Sequence, residues 1–164
     1  MTLTFGLKMA HDDITLSPGV VLQIFGEEEA AHLIQDWLGV FARKRSGYRI
    51  KDYKWHLFSG GFYEAEEGSN AEAVYRSHVA ENYLVIDNDE SVVFLTDQRP
   101  EKVDLSDYYV CPRNMAWTMA FTHEDGWLGP YFARHPQYEE LEQENRAYIE
   151  KVKQIEHAKK MGWC

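Results

Sequence analysis

The sequence predicts an α+β protein: a mainly antiparallel sheet with an N-terminal amphipathic helix, a short middle helix and a long C-terminal helix. Two observations carry this prediction. Short β-type runs separated by turn residues crowd the middle of the chain, and residues with helical spacing lie towards both ends. Grouped strands of this kind favour α+β over a parallel α/β fold. No repeat or Pro/Ser linker interrupts the chain, so we expect one domain, 1–164.

The first third predicts two strands and a helix. Leu3–Met9 is the weaker strand, and Val20–Phe25 is the stronger because it is apolar, β-branched and preceded by turn residues. Three glutamates at 27–29 would open the helix, where its dipole favours carboxylates. Apolar residues then repeat at helical spacing from Ala30 to Phe41. Three basic residues at 43–45 and Gly47 mark its expected end.

The middle of the chain predicts a strand, a short helix and two hairpins. Tyr53–Ser59 alternates and is predicted to be a strand, ended by a glycine pair. Ser69 and Glu72 have the spacing of a capping box, so a short helix should run to about Ala80. The predicted hairpins pair Tyr83–Asp87 with Ser91–Thr96 and Tyr108–Cys111 with Ala116–Thr122, each across a polar turn.

The last part, 136–160, reads as one long charged helix. Pro136 suits its first turn, and the pairs Glu142/Arg146 and Glu156/Lys160 have the favourable i, i+4 order. A narrow apolar stripe either docks on the domain or pairs with a second copy as a homodimer. The stripe consists of Leu141, Tyr148, Val152 and Ile155.

Several function classes are disfavoured by what the sequence lacks. No apolar run approaches the ~20 residues that span a membrane, and the first residues do not resemble a signal peptide. Cys111 and Cys164 form neither a metal spacing nor a disulfide framework, and we expect Cys111 to be a buried, unreactive thiol. No phosphate-binding loop or nucleophile elbow is present. We therefore expect a cytoplasmic protein with no cofactor and no metal.

The charge is distributed unevenly. Residues 64–107 hold twelve carboxylates and three bases, which accounts for nine of the ten net negative charges. Residues 43–54 are basic, which we interpret as a helix end followed by a loop. A field of one sign attracts partners of the other sign. The sequence therefore disfavours nucleic acid and favours a basic protein as partner.

One set of residues has the chemistry of a catalytic or metal site. His56, His123 and Glu124 combine two imidazoles with a carboxylate that could orient one of them. The adjacent His-Glu pair lacks the second histidine of a zinc helix. We therefore interpret all three as hydrogen-bonded residues at strand ends, and an enzyme that uses them remains the alternative.

Two motifs carry a resemblance to a family. Trp55, His56, Phe58 and Ser59 form a W-H-x-F-S pattern, and the stretch 117–132 contains W-T-x-x-x-T-H-E followed by G-P-Y-F. In these motifs the chain resembles an uncharacterised family of bacterial domains. The resemblance implies a compact fold and no known activity. The long charged C-terminal helix departs from that family's pattern.

From these observations we expect a small acidic binding protein without enzymatic activity. Its concrete form would be an immunity protein that occludes a basic, nuclease-like bacterial toxin domain, with carboxylates as electrostatic contacts and aromatic residues as anchors. An enzyme and an oligomerising structural module are the alternatives. The expected contact residues are Phe62, Tyr63, Glu64, Glu66, Glu67, Asp87, Asp89 and Glu90.

Overall fold

The computed structural model describes residues 14–42, 53–124 and 127–163. Within these ranges the chain forms nine strands and four helices, and none of these helices is long and apolar enough to cross a membrane. The helices are α1 (Glu27–Phe41), α2 (His56–Ser59), α3 (Ser69–Arg76) and α4 (Tyr138–Lys160). The strands are β1 (Leu16–Ser17), β2 (Val21–Ile24), β3 (Glu66–Glu67), β4 (Tyr83–Asp87), β5 (Val93–Thr96), β6 (Lys102–Val103), β7 (Tyr108–Pro112), β8 (Trp117–Phe121) and β9 (Tyr131–Arg134).

Seven of these strands form one sheet in the order β2-β5-β4-β7-β8-β9-β3. Every neighbouring pair is antiparallel, and β1 and β6 form a separate antiparallel pair. The predicted α+β class with a mainly antiparallel sheet and a long C-terminal helix is therefore confirmed.

Successive side chains of a strand point to opposite sides of the sheet. In this sheet, other elements cover both sides. One face packs against α1 and the segment around α2, and the other packs against α3, the β1–β6 pair and the start of α4. The first layer includes Trp37, Phe41, Trp55, Leu84, Tyr109 and Tyr131. The second layer includes Tyr75, Val85, Phe94, Trp117, Met119 and Phe132.

Trp37 is the main contact between α1 and the sheet. Its indole Nε1 donates to Thr118 Oγ1 at 3.0 Å, and its ring centroid lies 4.9 Å from that of Tyr109. The helical spacing predicted from the sequence thus places one side of α1 on the sheet.

Both predicted hairpins are present. β4 pairs with β5, and β7 pairs with β8, in antiparallel register. Glu90 and Met115 adopt positive φ values of 62° and 58° in the two connections. The strand predicted at Val20–Phe25 is also present, as β2. Local turn residues were sufficient to locate these elements.

The strand predicted at Tyr53–Ser59 is wrong. The segment makes a turn and then the short helix α2, with backbone bonds such as Phe58 N to Trp55 O. The two predicted strand faces are not distinguished by burial, since Lys54 is only 3 % exposed and its neighbour Trp55 only 1 %. Long-range hydrogen bonds to Asn88 hold Lys54 there.

Two helix boundaries differ from the predictions because tertiary contacts set them. Gly68, with φ 67°, precedes α3; its N–H donates to Pro130 O, and no side chain caps the helix, so the capping box is absent. The helix ends at Arg76 rather than Ala80. α4 begins after Gln137, not at Pro136, because His135 N still bonds across the sheet to Ala116 O.

Some predictions fall outside the described residues. They are the strand at Leu3–Met9, the basic residues 43–45 and the helix stop at Gly47.

Candidate functional site

The predicted contact residues separate into two groups on the sheet. β3 is the last strand of the sheet, and β4 lies four strands away from it. Since neighbouring strands are about 4.8 Å apart, the β3 residues and the β4–β5 turn are separated by roughly 19 Å of sheet. The expected single acidic surface is therefore two surfaces.

Phe62, Tyr63, Glu64 and Glu66 of the first group line a groove of about 1010 Å³ beside β9 and β3, whereas Glu67, on β3, does not line it. We call it the aromatic groove and define it by Phe62, Tyr63, Glu64, Glu66 and Arg134. Glu66 is not available as an uncompensated charge, because Arg134 Nη1 lies 2.7 Å from its Oε2. Glu64 makes no salt bridge with the described residues and is exposed. One of the groove's two predicted acidic contacts is thus neutralised from within.

The two predicted aromatic anchors have different environments. Tyr63 packs against the first buried layer, 5.3 Å from the ring of Phe41, and its hydroxyl donates to the backbone carbonyl of Arg134. Phe62 is 44 % exposed. Tyr63 is therefore a structural residue of the groove, and Phe62 is the one that a partner can reach.

The second group lies at the end of the sheet that carries the β4–β5 turn. Four carboxylates there, those of Asp87, Asp89, Asp104 and Asp107, line one cavity of about 360 Å³, which we call the acidic cavity. No described residue lining it is a lysine or an arginine. Asp104 and Asp107 lie in the connection to β7, so the fold brings together carboxylates from two separate loops. The sequence-based contact list omitted both.

Asp87 carries the clearest electrostatic signature of the cavity. Its residue is 8 % exposed, and the hydroxyl of Ser91 donates to its carboxylate. Burial raises the pKa of Asp87, and the charge of Asp89 raises it further, while the hydrogen bond from Ser91 acts in the opposite direction. A neighbouring cation would stabilise this ionised carboxylate.

Glu90, also predicted as a contact, is held by an internal ion pair. Lys54 Nζ lies 2.9 Å from Glu90 Oε2 and donates to Asn88 O at the same distance. The Lys54 backbone N–H donates to Asn88 Oδ1, which also accepts the Tyr109 hydroxyl. This network fixes the segment before α2 to the β4–β5 turn.

Asp107 is the residue that organises the histidine site. Its Oδ1 accepts hydrogen bonds of 2.9 Å from three donors: the indole Nε1 of Trp55, the backbone N–H of His123 and His123 Nδ1. Glu124 Oε2 lies 3.4 Å from His123 Nε2. The hydrogen bond to Asp107 raises the pKa of His123, and the charges of Asp107 and Glu124 act in the same direction. Sequence reasoning missed Asp107 because it lies sixteen residues before His123.

The two histidines do approach the same pair of rings. The Tyr53 ring centroid lies 5.7 Å from that of His56 and 5.1 Å from that of His123. The Trp55 ring contacts both imidazoles as well, at 4.6 and 6.3 Å. His56 is on α2 and His123 follows β8 in a turn, so the strand-end interpretation fits His123 but is wrong for His56.

The described residues provide an oriented imidazole but no recognised metal cluster. No group of three His, Cys, Asp or Glu side chains among them could hold a metal ion. Neither histidine lines the acidic cavity or the aromatic groove. Cys111 is fully buried, and burial raises its pKa to about 12, which keeps the thiol protonated and unreactive as predicted.

Comparison with known proteins identifies a family. The model of a domain of unknown function, DUF4275, matches residues 21–132, well over half of the chain. The match covers α1, both hairpins and the acidic cavity, and it ends before Arg134 of the aromatic groove and before α4. No curated protein and no solved structure matches the chain significantly.

Proposed function

Since this chain belongs to the DUF4275 family, which carries no assigned activity, we propose its function from its own geometry: a small acidic cytoplasmic binding protein. Its concrete form is an immunity protein that neutralises a basic, nuclease-like bacterial toxin domain by covering the toxin's active site. The observation that supports this proposal is the acidic cavity, where four carboxylates face one space without a described lysine or arginine in its lining.

The cavity is suited to receive a cationic side chain. A lysine or arginine of the toxin would be surrounded by carboxylate oxygens, and such charge-assisted hydrogen bonds are roughly twice as strong as neutral ones. The same cation would lower the raised pKa of Asp87, because an opposite charge favours the ionised form. Binding of a cation in this cavity would therefore offset the free-energy cost of keeping the Asp87 carboxylate ionised there.

The net charge supports the encounter step. The protein carries −10, and the exposed carboxylates Asp89 and Asp104 stand at the cavity. A field of one sign raises association rates with basic partners and loses this effect as salt rises. Asp89 and Asp104 would steer the partner, and the buried Asp87 would form the floor that it meets, while Asp107 stays bonded to His123.

Association kinetics test this proposal. The partner to test is a basic, nuclease-like toxin domain: where the reading frame directly upstream encodes a large secreted protein, its C-terminal domain is purified and mixed with the chain at low and high salt. We expect Asp89→Asn combined with Asp104→Asn to slow association at low salt by about tenfold and to flatten the salt dependence. Each single variant, Asp89→Asn or Asp104→Asn, is compared with the matched control Glu81→Gln, which also removes one exposed carboxylate but lies just before β4, at the opposite end of the sheet from the cavity.

Two results would overturn the proposal. One is an unchanged association rate in the double variant. The other is a wild-type chain that neither binds the toxin domain nor reduces its activity. A slowing of equal size in Glu81→Gln would also contradict it, since it would show that net charge alone acts and that the cavity has no special part.

An enzyme is the second candidate, and one observation favours it. Asp107 holds an accessible imidazole, that of His123, in a fixed orientation with a raised pKa, as a general acid–base residue requires. His56 and Glu124 would assist. His56→Gln separates the two functions, because His56 does not line the acidic cavity: a binding protein keeps its association rate and its protection of toxin-expressing cells, whereas an enzyme that uses His56 loses protection while still binding.

A further inference from the structure

α4 is anchored to the rest of the chain through its first turns. The Tyr138 hydroxyl bonds to His78 Nε2 at 2.7 Å, and Asn114 Nδ2 donates to the backbone carbonyl of Leu141 at 3.0 Å. Glu142 is buried, and Asn145 exchanges side-chain hydrogen bonds with Asn114. Beyond Arg146, the helix forms no hydrogen bond or ion pair with the other described residues. At 1.5 Å per residue, its last fourteen residues extend for about 20 Å.

This projecting half presents exposed apolar side chains. Tyr148 is 41 % exposed and Ile155 is 45 % exposed, with Val152 partly exposed between them. They recur every three or four residues, which places them on one side of the helix in the spacing of a coiled-coil seam. The seam continues the side on which Leu141 packs against the second buried layer.

The end of the helix is well defined rather than frayed. Gly162 has φ 73°, its N–H donates to Lys159 O, and the N–H of Trp163 donates to Ala158 O at 2.9 Å. These two bonds constitute a Schellman motif. The motif holds Trp163 against His157, with 5.4 Å between ring centroids, while leaving the indole 68 % exposed. The indole lies beside Gln154 and His157, on the side of the helix opposite Tyr148 and Ile155, so it is not part of the seam.

The charges of α4 divide it into two halves of opposite sign. The anchored half, 138–146, holds four glutamates and one arginine, and the projecting half, 147–160, holds four lysines and two glutamates. In a parallel pair, like halves would lie together, and Lys159 would face Lys159 of the partner subunit along the seam. In an antiparallel pair, each lysine-rich half lies against a glutamate-rich half.

We infer that a second copy of this chain covers the projecting half, and that the two α4 helices pair antiparallel along the Tyr148, Val152 and Ile155 seam. The two domains then lie at opposite ends of the helix pair, each near the Trp163 end of the other copy's helix. The seam and the acidic cavity share no residue, so dimerisation and toxin binding are separate properties.

Sedimentation velocity of the full chain over about a hundredfold range of concentration tests this inference, since a reversible dimer depends on protomer concentration. We expect a dimer for the wild type. Tyr148→Glu combined with Ile155→Glu should weaken self-association by about a hundredfold, because both charges would enter the seam. The matched control, Gln143→Glu combined with Gln154→Glu, adds the same two charges on the opposite, exposed side and should remain dimeric.

Disulfide trapping tests the orientation. Glu140 and the last turn of α4 lie about 30 Å apart along one helix, so a disulfide between Cys164 and a cysteine introduced by Glu140→Cys must join two chains. We expect mild oxidation to link this variant into covalent dimers and to leave the wild type unlinked.

Three results would overturn the inference: a wild-type chain that is monomeric throughout, a seam variant as dimeric as its control, or efficient Cys164–Cys164 linkage in the wild type, which indicates a parallel pair. Circular dichroism of each variant shows whether α4 is retained. A helical, monomeric seam variant supports the inference, and a loss of helix requires the milder Tyr148→Ser with Ile155→Ser, for which the same dissociation is expected.

Discussion

The acidic cavity and the aromatic groove both contain carboxylates that the sequence predicted as partner contacts. These carboxylates differ in whether a basic side chain of the protein itself is paired with them. In the groove, Arg134 compensates Glu66 from within the fold. In the cavity, no described basic side chain is among the lining residues, and burial raises the pKa of Asp87. A carboxylate that already has an internal cation gives little to a partner, whereas an uncompensated one gains from any cation that arrives.

The comparison shows that the number of acidic residues in a stretch does not locate a binding surface. In the sequence, Glu66, Glu90, Asp89 and Asp104 each contribute one negative charge. In the structure, Glu66 is paired with Arg134 and Glu90 with Lys54. What distinguishes the cavity is that Asp87, Asp89 and Asp104 form no salt bridge with the described residues, whereas its fourth aspartate, Asp107, is paired with His123. The following substitutions test that distinction, beginning with the largest expected effect.

Asp107→Ala should cause the largest loss of stability. It leaves the indole of Trp55 and two donors of His123 without their acceptor in a partly buried site, so we expect the free energy of unfolding to fall by about 3 kcal/mol. Urea denaturation measures this. The pKa of His123, followed by NMR, should move down towards its ordinary value of 6.5 because its main perturbing group is removed.

Asp104→Ala in the same cavity is the control, since this exposed residue makes no salt bridge with the described residues. It should change the stability by less than about 0.5 kcal/mol. A comparable loss in both variants would show that the cavity's carboxylates do not divide into structural and accessible members.

Asp87→Asn should have a smaller effect of opposite sign. Burial raises the folded-state pKa of Asp87 above its ordinary value of 3.8, so the folded protein binds more protons than the unfolded chain between these two pKa values. Stability therefore falls as pH rises from 3.8 through the folded pKa and stays at the lower level above it. The Asp87→Asn substitution removes this loss of stability, because asparagine does not ionise.

Thermal unfolding across pH values checks the Asp87 prediction. The variant should be more stable than the wild type at neutral pH, and the difference should shrink as pH falls towards 3.8. A wild type that is the more stable protein at neutral pH would mean that the hydrogen bond from Ser91 outweighs burial, and the cavity would then be compensated in the same way as the groove.

Glu66→Gln should have the smallest effect. Both side chains of its ion pair with Arg134 are partly exposed, and such pairs contribute about 0.2–1 kcal/mol. The free energy of unfolding should therefore fall by no more than that amount. Because the charge is already compensated, the association rate with the toxin domain should stay within about twofold of the wild type. A slowing like that of the cavity variant would make the groove the contact surface.

Much of the fold could be predicted because its signals are local. The hairpins follow from polar turn residues between apolar runs, and α1 follows from helical spacing over fifteen residues. The prediction failed at 53–59, where alternating residues around Lys54 were interpreted as a strand. The burial of Lys54 depends on Asn88 and Glu90, more than thirty residues later, and no local pattern contains that information.

The candidate site was harder to predict for the same reason. Six of the eight expected contact residues line one of the two surfaces, but the sequence could not separate them. It also missed Asp104 and Asp107 as cavity residues, and Asp107 as the acceptor for His123, because these relations arise from strand register. Residue spacing within one helix or hairpin can be recognised in the sequence. The contact between two loops at one end of the sheet cannot.

The attachment of residues 53–59 to the β4–β5 turn has a consequence for how occupancy of the cavity can be observed. The backbone N–H groups of Lys54 and Trp55 donate to side chains, Asn88 Oδ1 and the Tyr109 hydroxyl, instead of to a regular ladder. Their exchange with deuterated solvent depends on opening of that turn. A toxin domain seated in the cavity would slow these two amides without touching them, so they serve as native reporters of complex formation.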